Sequence, residues 1–160
     1  MIIVYSHVEL KRYPDLARTL VQHIFAAYPD MKFDHLPNET MESKLARCAG
    51  AYNNNADWVL FYDDRSNALK GFCMTGNLKL IHSSEGRHIY NMVTLGDTEE
   101  VNFHITNTLL DYIQQRYEQN EDDYMCIRTL PVTDSLPNEP GRLIGHNRLY
   151  NFWERKNSFP

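Results

Sequence analysis

Apolar and polar positions fall in blocks along this chain, and the period of the blocks changes several times. The opening run Ile2-Ile3-Val4-Tyr5 is short, β-branched and aromatic, which suits a pleated, half-buried backbone and predicts a strand. Pro14 suits the first position of a helix, and Leu16, Leu20, Val21, Ile24, Phe25 and Tyr28 follow at helical spacing until Pro29-Asp30 stops the pattern. A weaker helix is predicted after Pro37-Asn38, with Met41, Leu45, Cys48 and Tyr52 on one stripe and an end at Asn53-Asn54-Asn55.

The period then shortens to two. Strands are predicted over 58–62, 70–81 and 87–95, joined by the polar stretches Asp63-Asp64-Arg65-Ser66-Asn67 and Ser83-Ser84-Glu85-Gly86, which have hairpin length. The three runs predict an antiparallel meander. Gly71 and Gly76 inside the middle run predict a bulge or a tight turn that shortens it. Past Leu95 the helical period returns: Asp97 with Glu100 reads as a capping box, and Val101, Ile105, Leu109, Tyr112 and Ile113 give a stripe. Asn120 to Asp123 end that helix in an acidic turn, and Tyr124-Met-Cys-Ile-Arg128 reads as a strand. A strand, helix, strand crossover makes its two strands parallel. The segment from Leu130 to Gly145 holds three prolines and two glycines and reads as a loop. A final helix is expected from about Asn147 to Lys156, presenting Leu149, Phe152 and Trp153 to the body.

Composition narrows the class. At 160 residues, with 42% apolar and 23% charged side chains, the chain predicts a single α/β (α+β) domain over residues 1–160 with a core of its own. A net charge of -5 argues against a nucleic-acid binder, because phosphate-backbone binding needs surplus Lys and Arg. The abundant Tyr and Phe fall on helical or strand stripes without interleaved basic residues, so they read as core. Cys48, Cys73 and Cys126 are far apart, in no CxxC arrangement, and read as reduced thiols. The seven histidines show no HxxxH or HExxH spacing, so no metal site is expected. The N-terminus lacks the basic start and long apolar region of a signal peptide, and no run reaches membrane-span length, which points to a cytoplasmic protein.

The order strand, helix, helix, three antiparallel strands, capped helix, parallel strand, helix resembles the GNAT superfamily, whose members transfer an acyl group from coenzyme A to an amine. The segment Asn147-Arg-Leu-Tyr150-Asn-Phe-Trp153-Glu154-Arg155-Lys156-Asn157 is similar to the closing helix of that family. The resemblance implies a mixed, mainly antiparallel sheet flanked by helices, here truncated after the closing helix. It also implies that Met92-Val-Thr94-Leu95 splays from the strand at Tyr124 to admit the pantetheine arm, with the pyrophosphate at the following helix N-terminus. On that pattern Val93, Leu95, Gly96 and Asn147 contact acetyl-coenzyme A, which visits as a substrate and is not tightly held. Tyr150 stands as the acid, because Trp153 in the expected acid position has no proton to give. Glu99, with His88 and His104, supplies candidate bases.

The loop Gly96-Asp97-Thr98-Glu99-Glu100 departs from the family pattern. One glycine remains, no basic residue is present, and three carboxylates stand there. Each would repel a phosphate by roughly 1 kcal/mol in water at about 4 Å. The loop therefore reads either as a degraded coenzyme site or simply as a helix N-terminus capped to suit its dipole. Two functions follow: an acyl-coenzyme A N-acyltransferase, or a non-catalytic structural or interaction protein that reuses the fold. The second expects a protein partner, or self-association, through an exposed sheet edge. Compact GNAT-like domains of that style occur among phage virion proteins, which would set the location in the host cytoplasm or the virion.

Overall fold

The computed structural model describes residues 1–28, 31, 36, 38–78, 86–117, 124–129, 142–146 and 151–156. Strand β1 (Ile2–Ser6) runs into a four-residue helix α1 (His7–Leu10), started by the Ser6 hydroxyl, which accepts the Glu9 N–H at 3.1 Å. The sequence reading missed α1, which is too short to show a period. Helix α2 (Pro14–Ala27) opens on its proline and buries Ala17, Leu20, Val21 and Ile24. Helix α3 (Met41–Ala49) is capped by Thr40, whose side chain accepts the Ser43 N–H, and buries Leu45, Cys48 and Ala49. A 3-10 turn, Gly50–Tyr52, continues it.

The predicted meander forms from β2 (Asp57–Tyr62), β3 (Leu69–Leu78) and β4 (Gly86–Thr94), antiparallel throughout, and β1 pairs antiparallel with β2. Strand β3 runs unbroken through both glycines. Beside Gly71 the β2 register shifts, and Gly76 leaves room for a ring: a Cβ there would stand 2.7 Å from Tyr52. Helix α4 (Glu99–Arg116) crosses to β5 (Tyr124–Thr129), which lies parallel to β4 as the crossover requires.

The chain end differs from the prediction. Arg142–His146 is a strand, β6, overlapping the last four residues of the segment read as loop, and Asn151–Lys156 is a strand, β7, within the segment read as the closing helix. Six residues are too few to separate period 2 from 3.6, and tertiary pairing decided: β7 matches β5 from Tyr124↔Lys156 to Thr129↔Asn151. The sheet runs β1-β2-β3-β4-β5-β7-β6, so it does not stop at β5, and the edge expected there is covered. Residues 118–123, 130–141 and 147–150, including the predicted acidic turn and most of the predicted loop, lie outside the described residues.

The period-2 alternation of the meander sorts its side chains between two layers. Trp58, Leu60, Phe72, Met74 and Tyr90 pack with Leu10, Leu20, Ile24 and Leu45 on the α2–α3 side. Val59, Cys73 and Ile89 pack with Ile105, Leu109, Leu110 and Ile113 of α4 on the other. Each fully buried aliphatic chain contributes about 1.5–3 kcal/mol, so the sheet is clamped from both faces and its local irregularities are held in place.

Candidate functional site: a bulged strand beside a parallel gap

Strand β4 carries the irregularity that shapes the site. Its register with β3 passes from Met74↔Tyr90 to Phe72↔Val93, so Asn91 and Met92 together oppose the single residue Cys73. That is a β-bulge, and Asn91 adopts a left-handed φ of 52° within it. Asn and Gly are the residues that visit this region most readily. The extra residue sends two consecutive side chains to the α3 side, where the Tyr90 hydroxyl donates to the Ala49 carbonyl at 3.1 Å and the Asn91 amide to the Cys48 carbonyl at 2.9 Å. Both carbonyls belong to the last turn of α3, where helix acceptors lack intrahelical partners. The Tyr28 hydroxyl at the end of α2 donates to the Met92 carbonyl at 2.9 Å. Two helices thus hold the bulge from the same face.

The gap begins at the bulge. Pairing of β4 with β5 covers Arg87↔Met125, His88↔Cys126 and Ile89↔Ile127 and then ends, although β4 continues to Thr94 and β5 to Thr129. Beyond Ile89 the two strands share no described pairing: β4 remains paired with β3, and Arg128 and Thr129 with β7. In this register Thr129 stands level with Asn91, so the expected divergence of Val93–Leu95 concerns a stretch whose β5-side continuation lies outside the described residues. The stretch of β4 left without a described β5 partner leads toward the N-terminus of α4.

At that end, the helix start is one residue later than the sequence suggested. Thr98, rather than Asp97, is the N-cap, and its hydroxyl accepts the Val101 N–H at 3.2 Å; with valine at the third helical position, no reciprocal box with Glu100 forms. The Gly96 N–H donates to the Asn102 side-chain oxygen at 2.7 Å, and the Leu95 N–H to the Lys70 carbonyl at 2.9 Å. Gly96 has no room for a side chain, since a Cβ would stand 2.6 Å from Val101 and 2.7 Å from Asn102. Asp97, Glu99 and Glu100 are exposed around this turn. Two amides a phosphate could have used are therefore spent internally, and the surrounding charge is negative.

Of the residues proposed from sequence, Val93 is buried on β4 beside the gap, and Leu95 and Gly96 follow it at the mouth. Asn147 and Tyr150 lie outside the described residues. Glu99 is exposed on the first turn of α4, and no described hydrogen bond or ion pair joins it to the bulge. His104 is exposed farther along α4, on a groove of about 450 Å³ shared with Met1, Asp63 and Lys70. His88 stands on the last paired stretch before the gap, with its Nδ1 2.8 Å from the Tyr52 hydroxyl. Sequence reasoning missed Asn91, Tyr28 and Asn102. The signal for Asn91 was there: a polar residue interrupts Ile89-Tyr90-Asn91-Met92-Val93, where alternation alone would leave it buried without purpose.

Among the described residues, no cluster of three His, Cys, Asp or Glu side chains is arranged to hold a metal ion, and no helix is long and apolar enough to cross a membrane.

No family model matches the chain, and no curated protein matches it by sequence. Similarity to solved structures is extensive in shape and low in identity. Aminoglycoside 6'-acetyltransferase type Ii superposes with a TM-score of 0.63 at 11% identity, covering 100% of this chain and 99% of the other. A GNAT-family acetyltransferase from Staphylococcus aureus Mu50 superposes with a TM-score of 0.61 at 13% identity, covering 99% and 100%. An acyl-CoA N-acyltransferase from Pseudomonas aeruginosa gives 0.55 at 11% identity, covering 97% and 99%. The chain has the GNAT fold.

Proposed function

We propose that this chain is an acyl-coenzyme A N-acyltransferase that holds the pantetheine arm in the gap between β4 and β5 and grips the nucleotide end of the coenzyme weakly. The observation that carries the reading is the end of parallel pairing at Ile89↔Ile127, next to a bulge held by Tyr28 and the last turn of α3. An extended ligand with amide groups can pair with strand backbone there as an added strand would. The bulge also takes two residues out of the β3 ladder at the start of the gap, and preorganised backbone of that kind is suited to polarising a thioester carbonyl. In the reaction the amine nitrogen attacks that carbonyl carbon, the carbon–sulfur bond breaks, and the proton lost by nitrogen ends on the coenzyme thiol.

The acidic turn favours weak nucleotide binding. Calorimetry with acetyl-coenzyme A and with S-acetylpantetheine tests the reading, and the two are expected to bind with affinities within about tenfold, since the pyrophosphate adds little against Asp97, Glu99 and Glu100. Glu99→Gln with Glu100→Gln is expected to tighten acetyl-coenzyme A by about tenfold at low salt, and less as salt screens the charges. Absence of heat with either ligand at about millimolar concentration would sink the transferase reading. The second reading, a non-catalytic interaction protein, is favoured by the internal use of the Gly96 and Leu95 amides. It expects no coenzyme binding and a defined partner on co-purification.

A further inference from the structure

On the side of α2 and α3 turned away from the sheet lies a groove of about 500 Å³, remote in kind from the strand gap. Its floor is apolar, made by Val21, Phe25 and Met41, with Phe25 and Met41 only partly buried. Its rim carries Arg18, Gln22 and Lys44, and among the described residues no carboxylate lines it, although the chain as a whole has a net charge of -5. Asp15 stands 3.9 Å from Arg18, and both are well exposed, so this contact does little to neutralise the guanidinium.

The lining decides what kind of occupant fits. The groove walls are two helices, whose interior backbone N–H and C=O groups are consumed by their own hydrogen bonds. Gln22 is the single neutral polar side chain there among the described residues. A small-molecule site needs a few polar groups placed inside a cavity to fix orientation, whereas here Arg18 and Gln22 are exposed and Lys44 is half-buried. An open apolar channel between two helices instead offers ridges and grooves to a third helix. Arg18, Gln22 and the adjacent pair Phe25-Ala26 on α2 recur at three- or four-residue intervals, the spacing of one helix face. The cationic rim then sets the sign of the charges beside the apolar stripe.

We propose that the α2–α3 groove docks an amphipathic helix of a partner protein whose apolar stripe is flanked by Asp and Glu. The surface is independent of acyl transfer, and its test needs no coenzyme.

The probe is a fluorescent synthetic helix with Leu and Phe at i, i+3, i+4 and i+7 and Glu on the flanks, titrated with the intact chain by anisotropy. Saturable micromolar binding is expected, weakening as salt rises, and a control peptide with Lys in place of Glu is expected to bind at least about tenfold more weakly. Arg18→Glu with Lys44→Glu should weaken the acidic peptide by about tenfold or more. The milder pair Arg18→Gln with Lys44→Gln should give a smaller loss in the same direction, with melting temperature and circular dichroism unchanged in both. Equal binding of the two peptides, or binding indifferent to both double variants, overturns the proposal. So does failure of the acidic peptide to bind while phosphatidylserine vesicles do. Concentration-dependent self-association abolished by the charge reversal, again without peptide binding, would assign the groove to a second copy.

Discussion

At Asn91 a left-handed backbone and a buried amide coincide. The backbone favours Gly or Asn, and the amide serves a carbonyl of α3 that burial would otherwise leave unsatisfied. Asn91→Gly keeps the conformation and loses the hydrogen bond, so it is expected to cost about 1–2 kcal/mol. Asn91→Ala loses both and is expected to cost about 1 kcal/mol more, measured by urea unfolding. His7 presents the opposite case, a buried titratable ring whose Nδ1 finds no partner among the described residues. Burial first, and the charge of Lys11 second, hold its pKa below the ordinary value, with Glu42 opposing. The unfolded chain therefore takes up a proton that the folded one refuses. Stability is expected to fall as the pH drops through about 6.5, by at most about 1.4 kcal/mol per unit, and to level off below the folded-state pKa. Unfolding at pH 7.5 and 5.5 checks this: His7→Gln should lose less stability between the two than the parent, and an equal loss would show that His7 is not the cause.

Helix α4 and strand β4 meet at the mouth of the gap, and the cap fixes their junction. Because Thr98 rather than Asp97 accepts the Val101 amide, Thr98→Ala is expected to cost about 1 kcal/mol, while Asp97→Ala stays within about 0.5 kcal/mol through its remaining dipole interaction. Thermal unfolding of the two variants distinguishes the assignments, and the reverse order would restore Asp97 as the cap. The sequence showed that a helix begins here and that its first turn is acidic. It could not choose between adjacent capping residues, because Asp97 and Thr98 are both good caps and only the backbone angles separate them. The bulge was illegible for a related reason: its cause lies in carbonyls of α3 that are more than forty positions away in the chain.

Across the described core the two apolar layers cover the meander on both faces, and its thiols report on this. Burial pushes Cys48 up to about 12, and Cys73 upward as well. The reactive species is the thiolate, so native-state alkylation of both residues is expected only through opening of the core. Peptide-resolved mass spectrometry should find their labelling rates rising together with urea well below the unfolding midpoint. Fast labelling of either in the native state would contradict the packing. The same layering leaves the two candidate surfaces apart: the gap belongs to the sheet between β4 and β5, and the cationic groove to the outer side of α2 and α3.

From its residues alone the chain determined the first strand, α2, α3, the meander, α4 and the parallel return to β5, because each has a long enough run or a clear enough terminator for local periodicity to act. Composition determined that it has a core to bury and no surplus of positive charge. Tertiary structure decided the rest. Asn151–Lys156 became a strand because β5 offered an edge to pair with, which a six-residue segment cannot announce by its own period. Tyr28, Tyr90 and Asn91 became the clamps of a bulge because two helix ends arrive beside one strand. Where β4–β5 pairing ends is set by two ladders, β4 with β3 and β5 with β7, and only the assembled sheet contains both.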